Sequence, residues 1–178
     1  MSDGIQPRHL LDGDKAPDFE FLTADGRRLR SSDLLREGPV LLTFYRGAWC
    51  MCCQADLRDL MQAMSAIRKT GATVVGVFHD LAPGASQNIT QEYGLDFPVV
   101  DDVDGHVAES FGVRRSPDEQ ALDDRDVPSV LQGGPWILPM QARFLIGKDG
   151  ILARREIILD YSDRSNACGL VPILERLA

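Results

Sequence analysis

The sequence predicts an α/β domain with a mixed central sheet flanked by helices and an N-terminal hairpin. Two observations carry this prediction. Short apolar runs typical of strands alternate with longer stretches of helical periodicity, and the last two strand-like runs are joined by a tight turn at Asp149-Gly150. The chain has 178 residues, of which 44% are hydrophobic and 26% are charged, as is ordinary for one globular domain.

The first elements follow from alternation and turn signals. Residues 1–11 are predicted to be a flexible lead-in, and residues 12–178 are predicted to form the domain. The alternating segment Asp18–Leu22, followed by the turn signal Asp25-Gly26 and an arginine-rich segment, predicts a small hairpin. Two serines then precede a short helix over residues 33–38, which the last glycine ends.

The central elements follow from hydrophobic periodicity. Val40–Tyr45 is mostly apolar, as expected for a strand that is covered on both faces. Apolar residues then recur at helical spacing from Leu57 to Ile67, which predicts a long helix. Residues 113–135 are polar and rich in Pro and Gly, so we expect an excursion over the surface. The other predicted elements are strands over 72–78 and 97–101, helices over 86–93, 106–111 and 170–177, and a hairpin over 142–159.

The net charge disfavours several kinds of partner, and the N-terminal residues indicate where the protein is located. There are 19 Lys plus Arg against 27 Asp plus Glu, which gives a net charge of −8 and disfavours nucleic acid and anionic membranes. No secretion signal and no run of membrane-spanning length are present, so we expect a cytoplasmic protein. Cysteines in a reducing compartment are more often catalytic than structural.

The most informative motif is Trp49-Cys50-Met51-Cys52-Cys53, which lies where the central strand meets the long helix. Cys50 and Cys53 form a Cys-x-x-Cys pair, whose spacing places both sulfurs on one side of the first helical turn, close enough to bridge. The unpaired N–H groups and positive dipole of a helix start favour the thiolate. The motif therefore predicts a redox-active cysteine pair.

The cysteines also have other interpretations. Buried cysteines are often small hydrophobes, and a closed zinc site needs about four ligands. Only Cys168 and three scattered histidines remain as further candidates, so a structural zinc site is disfavoured, while a metal-binding Cys-x-Cys-Cys cluster stays open. Cys52 is interpreted as a passenger, since a vicinal disulfide with Cys53 would be strained. Cys168 is predicted to be non-essential, with a resolving role as its alternative.

Three neighbouring residues are candidate auxiliaries. Arg46 lies four residues before Cys50, where its charge would lower a thiol pKa, although a solvated loop arginine is an equal alternative. Trp49 is predicted to shield the site and to offer a contact surface. His79, at the end of a core strand, is a candidate for proton transfer, and an ordinary loop histidine is the simpler interpretation.

Together these segments resemble the thioredoxin fold, and more specifically the peroxiredoxin-like branch of the AhpC/TSA family. The resemblance implies that peroxides or disulfides are reduced by a cysteine that external thioredoxin- or glutathione-type thiols regenerate, with no metal or organic cofactor. It covers about residues 12–178 and is carried by Gly13–Phe19, by Phe44–Cys50 with Cys53, by Phe97–Asp101, and by Leu138-Pro139 with Arg143–Gly150.

At several positions that are characteristic of the family, this chain has a different residue. Peroxiredoxins place Pro and Thr seven and three residues before the peroxide-reactive cysteine, and if Cys53 has that role, Arg46 and Cys50 stand at those positions. The family arginine, or the cis-proline of thioredoxin-like relatives, precedes a core phenylalanine by three residues, and here that residue is Gln141. Phe44 stands where thioredoxin keeps a buried acid.

The sequence therefore predicts a thiol-dependent oxidoreductase, a peroxiredoxin-like antioxidant enzyme that reduces hydroperoxides through Cys50 and Cys53. The alternatives are a thioredoxin-like protein-disulfide reductase and a non-catalytic redox sensor. Cys50 is expected to attack first, because solvent can reach it at the helix edge, and Cys53 to resolve. The reverse order stays open, since the resemblance favours Cys53. A homodimer is also left open.

Overall fold

The computed structural model describes residues 10–23, 27–79, 85–115, 138–158 and 166–178. Most of the predicted lead-in and most of the predicted polar excursion lie outside these residues. The strands are β1 (Glu20–Leu22), β2 (Arg28–Arg30), β3 (Val40–Tyr45), β4 (Thr73–Phe78), β5 (Val99–Asp101), β6 (Arg114–Arg115), β7 (Leu138–Pro139), β8 (Ala142–Ile146) and β9 (Leu152–Ile157). The helices are α1 (Ser31–Glu37), α2 (Met51–Lys69), α3 (Ala85–Tyr93), α4 (His106–Ser110) and α5 (Val171–Leu177), with a 3₁₀ turn at Ala167–Leu170 before α5.

A five-stranded mixed sheet forms the centre of the domain, with the strand order β5-β4-β3-β8-β9. β3 is parallel to β4, which is parallel to β5, whereas β8 is antiparallel to both β3 and β9. β1 and β2 pair separately as the predicted N-terminal hairpin. The mixed sheet and the hairpin predicted from the sequence are therefore confirmed.

The core lies on both sides of β3, all six residues of which are buried. Leu42 and Phe44 belong to a cluster on one side that contains Phe111 and Phe144. Side chains alternate along a strand, so Leu41 and Tyr45 belong to the other cluster. The apolar stripe of α2 joins that second cluster through Leu57, Leu60, Met64 and Ile67. The strand is mostly apolar because both of its faces are covered.

Several predicted boundaries differ from the structure. The N-cap residue of α1 is Arg30, and Ser31, the first residue of the helix, accepts a hydrogen bond from the backbone N–H of Phe19 at 3.2 Å. β9 ends at Ile157, earlier than the sequence suggests. β6, at the start of the polar excursion, pairs with β7, which follows the end of the excursion; strands of two residues are too short to give a periodic signal in the sequence.

The beginning of the described chain packs against the last strand of the sheet. Leu10 is buried in the first core cluster, and its carbonyl accepts a hydrogen bond from the Arg155 side chain at 2.7 Å. The Asp12 carboxylate accepts a further bond from the backbone N–H of Arg155 at 2.8 Å. Among the described residues, no helix is both long enough and apolar enough to cross a membrane.

Candidate active site

The site lies at the carboxyl end of β3, where the chain turns into α2. Cys50 is the N-cap residue of α2, and its sulfur accepts a hydrogen bond from the backbone N–H of Cys53 at 3.3 Å. The Cys50 carbonyl accepts the first helical bond, from the backbone N–H of Gln54 at 2.9 Å. A sulfur in the position of a capping oxygen satisfies one of the free N–H groups at the helix start. The predicted placement of Cys50 at the helix start is confirmed.

Three thiols meet at this helix start. The sulfurs of Cys50, Cys52 and Cys53 all lie within 4.8 Å of one another, and those of Cys50 and Cys52 are 2.9 Å apart. All four cysteines of the chain are free thiols in the structure, so a Cys50–Cys53 bridge stays a prediction. We call Cys50, Cys52 and Cys53 the thiol cluster.

Arg46 brings a positive charge to the thiol cluster. Its Nη2 donates to the Cys50 sulfur at 3.1 Å and to the Cys52 sulfur at 2.8 Å. The residue is only 5% exposed, and its guanidinium lies 5.9 Å from the centre of the Trp49 ring, within the range of a cation–π interaction. The solvated-loop interpretation of Arg46 is therefore wrong. Its charge acts on the sulfurs in a setting that water screens poorly.

The loop geometry between Arg46 and Cys50 depends on Gly47 and Trp49. Gly47 has a φ of +155°, and a Cβ at this position would overlap the indole nitrogen of Trp49. Only glycine permits this close approach, which holds the half-buried ring beside the Arg46 guanidinium. Trp49 packs against the second core cluster, to which Cys50 and Cys53 belong, and its shielding role stays a prediction.

Exposure separates the three thiols. Cys50 is 3% exposed and Cys53 is 2% exposed, whereas Cys52 is half-buried. The expectation that solvent reaches Cys50 is wrong, because its sulfur is turned inward to cap the helix and to meet Arg46. Of the three residues Cys52 is the least buried, and the neighbouring Met51 is exposed.

The cluster favours one thiolate, and it lies on Cys52. The hydrogen bond with the Cys50 thiol, the nearby Cys53 thiol and the Arg46 charge lower the pKa of Cys52 to about 2. The hydrogen bond with Cys52 raises the pKa of Cys50, while the Arg46 charge opposes that rise. Burial raises the pKa of Cys53 well above its usual range. The three groups titrate together, and the contact with Arg46 favours the thiolate on the sulfur nearest to its guanidinium.

Gln141 lies behind the buried thiol. It is 5% exposed, and its Oε1 accepts a long hydrogen bond from the Cys53 thiol at 3.9 Å. The structure thus brings together Arg46, Trp49, Cys50, Cys53 and Gln141. A neutral amide at this distance brings no charge to the sulfur.

A buried ion pair, which the sequence analysis missed, lies one helical turn beyond the cysteines. Arg143 donates to the Asp56 carboxylate at 2.9 Å, with side chains 0% and 3% exposed. Burial raises the pKa of Asp56, and the Arg143 charge opposes the rise. Burial and then the Asp56 charge raise the pKa of the nearby Tyr45 hydroxyl. The available signal was a charged residue on each of two apolar patterns, the strand β8 and the buried stripe of α2.

Two other candidates have structural surroundings of their own. The Nδ1 atom of His79 donates a hydrogen bond to the backbone carbonyl of Asp102 at 2.8 Å. This bond connects the end of β4 to the loop before α4. Cys168 is exposed on the 3₁₀ turn before α5 and does not belong to the group of sulfurs within 4.8 Å of one another. The backbone N–H of Ala167 fixes that turn to α2 by donating to Asp59 at 2.8 Å.

The thiol cluster is also the one group of three metal-ligating side chains that the described part of the chain brings within 4.8 Å. A structural zinc ion takes four ligands, and this group supplies three. The Arg46 guanidinium, which donates to two of the sulfurs, repels a cation at the same place. This donor set favours thiol redox chemistry over a zinc site.

Comparisons with known proteins agree with this chemistry. The model of the AhpC/TSA family matches residues 13–155. The thiol-disulfide oxidoreductase ResA of Bacillus subtilis (strain 168) is 31% identical over 108 residues, which cover 61% of this chain and 59% of ResA. A protein of Mycobacterium tuberculosis named as a peroxiredoxin, Rv1608c, is 36% identical over 107 residues, which cover 58% of this chain and 66% of that protein. The matched regions thus span less than two thirds of these relatives.

Solved structures show the same fold. The peroxidoxin BcpB of Mycobacterium tuberculosis superposes with a TM-score of 0.74 at 24% identity, covering 96% of this chain and 99% of BcpB. A protein titled as the thiol:disulfide interchange protein DsbE of Chlorobium tepidum gives 0.66 at 22% identity, covering 93% and 99%. At these identities the likeness concerns the fold alone, and it confirms the predicted thioredoxin-type architecture.

Proposed function

Because this chain belongs to the AhpC/TSA family, as its match over residues 13–155 shows, we propose that it is a thiol-dependent oxidoreductase that reduces hydroperoxides at the thiol cluster. The observation that carries this proposal is the contact of Arg46 with the Cys50 and Cys52 sulfurs at 3.1 and 2.8 Å. A buried guanidinium and a helix start together stabilise a thiolate, which is the nucleophile that attacks a peroxide.

The reaction is a two-electron oxidation of sulfur. A thiolate attacks the terminal peroxide oxygen, the O–O bond breaks, and the other oxygen leaves as an alcohol, or as water, after taking a proton. The sulfenic acid then condenses with a second thiol, which releases water and leaves a disulfide. The spacing of Cys50 and Cys53 supports this pair as the disulfide that an external thiol reduces.

The positive charge of the site has a different origin from that in the family pattern described above. Gln141 stands at the position of the family arginine and meets Cys53 only through a 3.9 Å contact. Arg46, at the family proline position if Cys53 is the reference, supplies the charge from the end of β3. The proposal is thus a peroxidase whose electrostatic support comes from the strand before the cysteines.

A second candidate function is protein-disulfide reduction. It is favoured by an apolar surface beside the half-buried thiol, made of Met51, which is 81% exposed, and Trp49, which is half-buried. Such a surface suits contact with a protein substrate better than with a small peroxide. A non-catalytic redox sensor accounts less well for a thiolate that is stabilised at a partly open position.

Substrate depletion by the purified full chain tests the proposal. Hydrogen peroxide and cumene hydroperoxide are supplied with thioredoxin, its reductase and NADPH, or with glutathione, and insulin reduction is measured in parallel. We expect peroxide-dependent NADPH consumption that Cys50→Ser abolishes and Cys168→Ser leaves unchanged. Insulin reduction without peroxide consumption would establish the second function, and the absence of both activities would leave the sensor.

The physiological setting belongs to the same proposal. A thioredoxin- or glutathione-type reductant and a cytoplasmic location are consistent with cysteines that act as thiols rather than as structural bridges. A homodimer remains a prediction, which the mass of the protein in solution checks.

A further inference from the structure

We propose that Cys52 is the thiol that attacks the peroxide first, and that it passes the oxidation to the Cys50–Cys53 pair. The inference rests on the proposed peroxide reduction and adds a third catalytic cysteine to it. It reverses the interpretation of Cys52 as a passenger, which considered only a strained bridge to its neighbour Cys53.

Access and charge both select Cys52. A peroxide oxygen must come into contact with the attacking sulfur, and Cys52 is half-buried while Cys50 and Cys53 are 3% and 2% exposed. Cys52 also has the shorter of the two contacts with Arg46, at 2.8 Å against 3.1 Å for Cys50. Its lowered pKa agrees with this geometry. Access and thiolate stabilisation thus coincide on one sulfur.

The first transfer is set by the 2.9 Å separation between the Cys50 and Cys52 sulfurs. The Cys52 thiolate attacks the terminal peroxide oxygen, the O–O bond breaks, and Cys52 becomes a sulfenic acid, while the leaving alkoxide or hydroxide takes a proton from solvent and departs as an alcohol or water. The Cys50 thiol then attacks the Cys52 sulfur. An S–S bond forms, the S–O bond breaks, and the hydroxyl group leaves with the Cys50 proton as water.

The second transfer returns Cys52 to its starting state. The Cys53 sulfur lies within 4.8 Å of the other two, and its attack on the Cys50 sulfur forms the Cys50–Cys53 disulfide and expels the Cys52 thiolate. The Cys53 proton passes to solvent. A thiol of low pKa leaves fastest in such an exchange, and Arg46 stabilises the departing Cys52. The overall change is one hydroperoxide and two thiols to one alcohol, one water and one disulfide.

Single-cysteine substitutions test this relay in the full chain. Each protein receives substoichiometric hydrogen peroxide, with and without the sulfenic-acid reagent dimedone, and the modified residues are identified by mass spectrometry. We expect dimedone on Cys52 in Cys50→Ser, and a trapped Cys50–Cys52 disulfide in Cys53→Ser. Cys52→Ser is expected to lose about 30-fold in the rate of oxidation, because an ordinary thiol is only a few per cent ionised at neutral pH. Cys168→Ser is the matched control and keeps the normal rate.

Two readouts separate this inference from the proposed function and from misfolding. Oxidised glutathione should still drive Cys50–Cys53 disulfide formation in Cys52→Ser, and a circular dichroism spectrum equal to that of the unmodified chain shows that the variant is folded. Iodoacetamide at limiting concentration should label Cys52 of the unmodified chain first, whether or not peroxide is a substrate. The inference is overturned if Cys50 or Cys53 is labelled first, if dimedone marks Cys50 or Cys53 while Cys52 is intact, or if Cys52→Ser is oxidised at the normal rate.

Discussion

Arg46 and Arg143 are both buried against the first turns of α2, yet their partners differ in kind. Arg143 meets the Asp56 carboxylate at 2.9 Å, and Arg46 meets the sulfurs of Cys50 and Cys52 at 3.1 and 2.8 Å. A carboxylate is ionised at neutral pH without help, whereas a thiol is not. Arg143 is therefore neutralised by a carboxylate that is already charged. Arg46 instead favours the ionisation of the thiol that it contacts.

The difference shows how one residue type serves structure in one place and chemistry in another. The Arg143–Asp56 pair lies between the sheet and the helix, at 0% and 3% side-chain exposure, where its removal affects the packing of both. The Arg46 contacts lie at the carboxyl end of β3, where Cys52 is only half-buried. The Arg143–Asp56 pair is fully buried, so we expect it to affect stability. The contacts of Arg46 involve a half-buried thiol, so we expect them to affect reactivity.

The largest effect is expected from Arg143→Met. This change leaves a buried carboxylate without its cation, and we expect the free energy of unfolding to fall by about 3 kcal/mol at neutral pH. Urea denaturation measures the loss. Asp56→Leu introduced together with Arg143→Met removes the stranded charge and should restore most of the stability. A double variant as unstable as the single one would contradict the structural role of the pair.

The same substitution has a predicted pH dependence. Burial already raises the pKa of Asp56, and without the opposing charge of Arg143 it rises further. An acid with a raised pKa in the folded state contributes stability below its unfolded pKa and loses that stability as pH rises through the folded value. The deficit of Arg143→Met should therefore shrink as pH falls from neutral toward about 4, near the unfolded pKa of an aspartate. A deficit that is constant over this range would contradict the assignment.

Arg46→Met is expected to act on reactivity rather than on stability. Loss of the charge raises the pKa of the Cys52 thiol, so iodoacetamide labelling at neutral pH should slow by about 30-fold. The free energy of unfolding should change by about 1 kcal/mol, since the unbranched Met side chain can occupy the vacated space. Arg46→Lys is the matched control, because it keeps the charge and should retain most of the labelling rate. Equal losses in the two variants would show that charge is not the cause.

Gln141→Ala is expected to have a small effect on peroxide turnover. Its contact with the Cys53 sulfur is 3.9 Å long and involves no charge, so peroxide turnover should change by less than about threefold. Gln141→Glu provides a sharper control, since a carboxylate beside Cys53 would raise the thiol pKa further. A large loss in the alanine variant would move the electrostatic support of the site from Arg46 to Gln141.

The smallest effect is expected from Cys168→Ser. Cys168 is exposed on the turn before α5, apart from the thiol cluster, and recycling by an external thiol should continue unchanged. Steady-state peroxide consumption over many turnovers measures this. A variant that completes the first oxidation but then stops would identify Cys168 as the resolving cysteine.

Sequence reasoning reached the fold and part of the site because those features are local. The succession of strands and helices follows from periodicity, and the placement of Cys50 at a helix start follows from the adjacent strand and helix. From the sequence, a contact of Arg46 with Cys50 and a solvated position of Arg46 are equal alternatives, because residue spacing does not give the direction of a side chain in a loop. The burial of Cys50 was missed for the same reason.

The remaining features depend on long-range or side-chain geometry. Asp56 and Arg143 are separated by 87 residues, and only the packing of α2 on β8 brings them together. The interpretation of Cys52 as a passenger considers only a vicinal disulfide with Cys53. In the structure the Cys52 sulfur lies 2.9 Å from that of Cys50. That proximity depends on the rotamers of two side chains at a helix end, which a motif does not specify.

The central claim is that the Cys50 hydrogen bond and the Arg46 charge hold one thiolate, on Cys52, near and below neutral pH. Ultraviolet absorbance of the thiolate, followed as pH is lowered from about 8 to about 4, measures it directly. The account predicts one thiolate that persists to about pH 5 in the unmodified chain and in Cys168→Ser, and is absent there in Cys52→Ser and Arg46→Met. Thiolate absorbance that appears only as pH rises above about 8, as for ordinary cysteines, would contradict the account.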